Sequence, residues 1–308
     1  MKYLAAFRTS RAGAALVSSS AAAERSGPVT RVVVDDVADA LTRAAQAFSP
    51  RRPSPQGIDP AARVAPDASV GEGTFVGPFA VIGAEARIGA RGVLEAGAWI
   101  GPGVVLGDDC HIGPNAVCYP GARLGHRVRL KAGAVVGGPG FGYGHGPTGH
   151  QRIPHLGACI LEDDVEVGSG SCIDRGNFED TVIGRGTKID NLVQVGHNVR
   201  LGQRCLVMAT TGIAGSCHIG DDVVIAGGVG IADHAEIGNA AVLSAKCVVF
   251  GPGAVAAGEV VGGYPARPHR AFLRAQAAMY RLAPLVEELV ALATEPRSGA
   301  ETDDHARG

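Results

Sequence analysis

Large rings are scarce in this chain: aromatic residues make up 5% of its 308 positions, with a single Trp. The shortage suits narrow coils that cannot hold rings inside, and it leaves no bulky aromatic core to build on. No run of 18 apolar residues occurs, so no membrane-spanning helix is expected. A formal net charge of −2 argues against wholesale nucleic-acid binding. The seven Cys are odd in number and contain no close CxxC pair, so structural thiols in a reducing, cytoplasmic compartment explain them better than metal or disulfides. Lys2, Arg8 and Arg11 before the small residues Ala14 to Ala23 imitate a secretion signal. The apolar run there is short and broken by serines, and the chain is read as a soluble protein without such a signal.

Glycine, by contrast, fills 46 positions, and the apolar residues keep a strict period. Aliphatic or near-aliphatic residues recur every sixth place from Ile58 through Val64, Val70 and Val76 to Val136. They do so again from Ile183 through Ile189, Val195 and Leu201 to Val261. Six is neither the helix nor the strand period. It is the period of a parallel β-helix, in which each hexad supplies one short strand and one turn and three hexads close a triangular coil. The chain then returns to the same edge every 18 residues, displaced by roughly 4.8 Å. The aliphatic residue points inward together with the small residue four places later, such as Thr187, Val193, Cys205 and Cys217. Positions two and three places after the aliphatic lie at a corner, where polar side chains project.

Three segments leave the pattern. Residues 1–57 read as a small α/β piece and a linker: Arg31 to Val34 is strand-like, Asp35 or Asp36 caps a helix, and Val37, Leu41, Ala44 and Phe48 form its apolar stripe. Ser49 to Gly57 carries three prolines and reads as the linker. The β-helix fills 58–266, interrupted from about 137 to 158 by a Gly-rich insertion holding Phe141, Tyr143, His145, His150 and His155. From Pro268, within 267–294, Phe272, Leu273, Ala277, Tyr280, Leu285, Leu289 and Leu292 repeat at helical spacing. Pro284 is expected to start a second helix or kink the first. Residues 295–308 read as a disordered tail.

Chemistry is expected at one corner. His197 lies two places after Val195, and 18 residues on the same edge presents Gly215. His234, 37 residues after His197, is read as the next member of the stack. A neutral imidazole can take a proton from an attacking amine or hydroxyl, while a backbone N–H steadies an oxyanion. This is the layout of an acyl-transfer site. His111, His126 and His218 lack such partners and read as structural. His145, His150 and His155 lie five apart, but without Cys or Glu ligands nearby no metal is expected.

Gly140-Phe141-Gly142-Tyr143, Ile153-Pro154-His155-Leu156-Gly157, Ile173-Asp174-Arg175-Gly176, Ile189-Asp190-Asn191 and Gln194-Val195-Gly196-His197-Asn198-Val199 together resemble the UDP-3-O-acylglucosamine N-acyltransferase family of lipid A biosynthesis. The resemblance implies a homotrimer of left-handed parallel β-helices with active sites between subunits. It implies transfer of a 3-hydroxyacyl group from acyl carrier protein to the 2-amine of UDP-3-O-acylglucosamine, with no metal or nucleotide cofactor. His197 would be the general base, Gly215 the oxyanion donor and His234 an aid to substrate or transition-state binding. Asp190 matches a family acid near the pantetheine arm and sugar, and Phe141 and Tyr143 would wall the substrate. Val248 and Phe250 are candidates to limit acyl length, and Arg270 and Arg274 to steer an acidic carrier protein. The family begins with a full uridine-binding domain, whereas this chain starts at what resembles its middle, so that the N-terminal α/β domain reads as truncated. Tyr3 there matches a residue stacking near uracil. Three other readings share the fold: an O-acyltransferase acting on UDP-N-acetylglucosamine, a zinc-dependent γ-type carbonic anhydrase, and a scaffold without catalysis.

Overall fold

The computed structural model describes residues 4–24, 26–49, 56–263 and 269–294. The chain divides into two compact units, Met1–Pro55 and Gln56–Gly308.

In the first unit, parallel strands Ala14–Val17 and Thr30–Val33 pair in register. Short helices Leu4–Arg8 and Ser19–Ala22 and a longer helix Val37–Phe48 accompany them. Asp36 is the cap: its Oδ1 accepts the N–H groups of Ala38 at 2.8 Å and Asp39 at 3.0 Å, satisfying two donors that a helix start leaves open. The helix forms where its stripe places it, but Leu41 is 60% and Phe48 88% exposed. A two-stranded sheet offers too little surface to cover twelve helical residues.

The second unit is the parallel β-helix that the period of six demands. Its short strands stack into three sheets of 10, 10 and 11 strands. The aliphatic ladder points inward throughout, with Leu94, Ile112, Val195 and Ile225 fully covered, and the position four places later is equally buried at Thr187, Val199, Cys205 and Cys217. Stability accrues coil by coil from this one inner column. The third residue after most of the aliphatics takes a left-handed backbone, with φ near 60° at Asn198, Ser216 and Asp222. Asn and Asp tolerate this region through short polar side chains, which is why they recur at the corners. Across coils those corners carry Arg–Asp pairs such as Arg91–Asp109 at 2.7 Å and Arg204–Asp222 at 2.7 Å. His111 reaches Glu95 at 2.7 Å and His126 Nδ1 accepts from Asp108 N–H at 2.9 Å, as expected of structural histidines.

Between the two ladders lies a coil that the period alone had not joined to either. Leu161, Val167 and Ile173 pair with Leu124, Leu130 and Val136, each 37 residues earlier, and with Ile183, Ile189 and Val195, each 22 later. There are therefore two excursions, one after the strand Val135–Pro139 and a shorter one after Cys172–Arg175. Both leave from the same sheet, the one that also contains Gln194–Val195, Gly212–Ile213, Gly230–Ile231 and Val248–Val249. The two departing strands stay paired through Gly138 and Asp174 and through Pro139 and Arg175, past a bulge. The longer excursion folds back as an antiparallel hairpin, Tyr143–Gly146 with Gly149–Arg152.

A single helix spans His269–Thr294 and carries Pro284 inside it. A second helix does not start at Pro284, whose missing N–H costs one bond of the ladder. No described helix is long and apolar enough to cross a membrane.

Candidate active site

At the corner that follows Val195 the shorter excursion hydrogen-bonds Asn198, while the longer one lines a cleft of about 700 Å³. His197, Gly215 and Asp233 line it from three successive coils, Gln194 and Asp174 from the sheet, and Phe141, Tyr143 and Arg152 from the hairpin side. The phenol ring of Tyr143 meets Phe141 edge-on at 5.1 Å.

Coils below His197 keep a constant step of 18, since Val195, Ile213 and Ile231 are successive partners. Asp233, and not His234, therefore follows Gly215 in the stack. His234 occupies the next place, the left-handed corner residue with φ 57°. Its side chain is 68% exposed, and it is absent from the cleft lining. The step of 37 does occur, but between Leu124 and Leu161.

The tautomer that a neutral His197 ring adopts follows from its neighbour. Asn198 Oδ1 accepts the N–H of Asn177 at 3.0 Å, and its Nδ2 donates to Glu179 O at 3.0 Å. Those two bonds fix which end of the amide is oxygen. His197 Nδ1, 2.9 Å from that oxygen, must then be the N–H of the neutral ring, which leaves Nε2 with a free lone pair. The imidazole lies against Gly215, where a Cβ would come within 2.7 Å of Cε1 and 2.9 Å of Nε2. Gly215 thus leaves room for the His197 ring and also offers a backbone N–H that makes no hydrogen bond among the described residues.

His155 backs the base. Its ring centroid is 5.2 Å from that of His197 at 69°, and the residue is 9% exposed. Its Nδ1 lies 3.1 Å from Ile153 O, so Nδ1 carries the hydrogen and Nε2 is left buried without a partner. Burial first, and then the charge of a protonated His197, push the His155 imidazole below its ordinary range. A neutral second ring therefore packs behind the first. It belongs to the cleft and not to the other loop histidines: His145 and His150 face each other across the hairpin at 5.9 Å. No group of three His, Cys, Asp or Glu among the described residues is placed to hold a metal ion.

Asp174 is the second titratable group of the cleft. Desolvation pushes its carboxyl up to about 6, against the opposing effects of the Gln194 bond and of His197; Gln194 Nε2 donates to Oδ2 at 2.9 Å. The folded state loses this proton later than the unfolded chain does. Stability thus declines as pH rises from about 4 to about 6 and stays lower above that window. Two pKa units correspond to about 3 kcal/mol, which solvent screening of this half-buried group reduces to about 1–2 kcal/mol. Asp174→Asn is accordingly expected to melt about 2–6 °C above wild type at pH 7.5, a gap that closes near pH 4. A gap of equal size at both pH values in thermal melts contradicts this origin.

The remaining expected residues lie apart from the cleft lining. Asp190 follows the strand Lys188–Ile189 of a different sheet and so sits one corner before His197. Val248 and Phe250 project from the cleft's own sheet two coils below Gly212, and Phe250 is 80% exposed. Arg270 and Arg274 are exposed on the C-terminal helix. Tyr3, Arg267, Pro268 and the segment 295–308 lie outside the described residues. The thiols are free, and burial pushes Cys110 up to about 11 and Cys118 to about 12.

The fold and cleft together are a hexad β-helix whose corner after Val195 holds an imidazole against a glycine. The family described as bacterial transferase hexapeptide (six repeats) matches residues 103–138. The particular likeness is to UDP-3-O-acylglucosamine N-acyltransferases, as the motifs indicate. That of Caulobacter sp. (strain K31) is 49% identical over 152 residues, 49% of this chain and 44% of that protein. That of Azorhizobium caulinodans is 60% identical over 82 residues, 27% of this chain and 23% of that protein. The matched stretches thus span less than half the length of these relatives. Among solved structures, LpxA from Acinetobacter baumannii is similar with a TM-score of 0.51 and 21% identity, over 68% of this chain and 72% of that one. The Arabidopsis UDP-N-acetylglucosamine acyltransferase gives 0.50 and 24%, over 67% and 71%. At such identities the two structures bear on the fold alone.

Proposed function

We propose that the protein transfers a 3-hydroxyacyl group from the thioester of acyl carrier protein to the 2-amine of UDP-3-O-acylglucosamine, a step of lipid A biosynthesis. The observation that carries this reading is the lock on His197: Asn198 holds its Nδ1–H, so that Nε2 faces the cleft as a free base beside an unengaged Gly215 N–H. Thioester aminolysis needs a base for the amine proton and a donor for the oxyanion, and no metal or nucleotide cofactor. The sequence relatives support the choice of acceptor. Phe141 and Tyr143 wall the sugar, Val248 and Phe250 limit the acyl chain along the shared sheet, and residues 1–57 serve as a uridine-binding unit that includes Tyr3. His234, exposed beside the stack, assists the substrate from the rim. Asp190 and His197 stand on consecutive corners of one coil, so a site that uses both takes them from two copies of the chain. This supports a cyclic homotrimer with its sites between subunits.

The test is mass-spectrometric detection of the amide formed from 3-hydroxyacyl carrier protein and UDP-3-O-acylglucosamine. No amide from the full chain at micromolar enzyme overturns the reading. In the same assay, Arg270→Glu with Arg274→Glu is expected to raise KM for the acidic carrier about tenfold at low salt and to leave kcat unchanged. An unchanged KM removes the helix from the docking surface.

A further inference from the structure

The acidic corner residues of this β-helix are repeatedly neutralised by arginine: Asp109 by Arg91, Asp164 by Arg127 and Asp222 by Arg204, each within 2.6–2.7 Å. Asp174 is different. It lines the cleft with His197, only its Oδ2 is engaged, by Gln194, and no ion pair reaches it among the described residues. The neighbouring Arg175 is committed elsewhere, its Nε donating to Gly157 O at 2.7 Å. Desolvating a carboxylate without a cation is costly, and a cleft that keeps one open beside a base has a place for a cation from outside. The groups facing it are His197 from the corner, Gln194 from the next strand, Cys172 and Cys159 from its own and the preceding coil face, and Arg152 and Asp233 across the cleft.

We propose that Asp174 receives the acceptor's ammonium, holding it through Oδ1 beside His197 Nε2 and so selecting an amine over a hydroxyl acceptor. The assignment rests on the acyl-transfer reading above and names the group that recognises the nucleophile. It also completes the proton balance. An ammonium must lose two protons to become an amide N–H, and one imidazole that must reprotonate the leaving thiolate can carry only one of them. The first N–H breaks toward Asp174 Oδ1, giving the carboxylic acid and a free amine lone pair. That pair forms the C–N bond at the thioester carbonyl, with the oxyanion on Gly215 N–H. His197 Nε2 takes the second proton, the C–S bond breaks, and the thiolate takes that proton from the imidazolium. Asp174 then releases its proton to water. Ammonium and thioester become amide, thiol and one proton.

The experiment is calorimetric titration of the full-length wild type and Asp174→Asn with UDP-3-O-acylglucosamine and with its 2-hydroxyl analogue, UDP-3-O-acylglucose, at pH 7. Wild type is expected to bind the amine at least tenfold more tightly than the hydroxyl analogue. Asp174→Asn should erase that preference while the hydroxyl analogue's Kd stays within twofold of wild type. Asp174→Glu should restore part of it. A preference that survives Asp174→Asn, or an equal loss for both ligands, overturns the assignment while the acyl-transfer reading stands. Wild type that binds neither ligand overturns that reading and this inference together.

Discussion

His197→Ala is expected to lower kcat for amide formation by about 10²–10⁴-fold, the usual worth of a positioned general base. The ring sits at a corner, outside the inner aliphatic column, and among the described residues its side chain hydrogen-bonds to Asn198 alone. Its loss should therefore move the melting temperature little and leave acceptor Kd within a few-fold of wild type. Paired measurement of kcat, Kd and thermal melting separates this from a folding defect. A kcat within threefold of wild type removes His197 from the chemistry and leaves the cleft as a binding or scaffolding surface. Asn198→Ala offers a graded companion: without its oxygen the imidazole is free to take the other tautomer, and a smaller loss in kcat is expected with Nε2 no longer held as the lone-pair nitrogen.

Gly215→Ala tests the second half of the site by adding one carbon. The backbone there is not in the left-handed region, so alanine brings no conformational strain. Its Cβ would nevertheless fall 2.7–3.1 Å from three atoms of the His197 ring. The ring is the far end of a side chain and can swing aside, so the fold should persist. To do so it must leave the Asn198 oxygen that sets its tautomer. A displacement of about 1 Å at a reacting group can cost 10²-fold, and a loss of that order in kcat/KM is expected with an unchanged melting curve. In His197→Ala the added methyl has nothing to displace, so the double variant should be no slower than about threefold below His197→Ala alone. A double variant that loses the full 10² a second time would show that the added methyl obstructs the cleft itself and not only the His197 ring.

The β-helix was legible because its signal is redundant: each hexad repeats the same inward residue, and a ladder of fourteen tolerates no other register. The corner bearing His197 and the partnership with Gly215 follow from the same step of 18. His234 shows where counting fails. A step of 37 from His197 passes Asp233, the residue 18 places after Gly215, by one, and at a corner one place separates a residue that lines the cleft from one beside it. The coil at Leu161, Val167 and Ile173 fell inside the expected span of the β-helix, but its place in the stack was not legible because it is out of phase with both ladders. Asn198, His155, Gln194 and Asp174 stood inside motifs without roles, since a hydrogen bond between two corners or a ring packed behind another leaves no period in a sequence.

What the amino-acid sequence by itself determined is the β-helix, its inner column and the corner on which His197 is displayed, because these depend on local repetition and each coil meets only its neighbours. Tertiary structure alone decided that the longer excursion lines the cleft at that corner while the shorter one bonds Asn198, that Asn198 orients the imidazole, that His155 stands behind it, and that Asp174 is left with an open oxygen in the cleft. Those contacts join residues from separate coils and an insertion of irregular length, and only the folded chain sets their distances and burial.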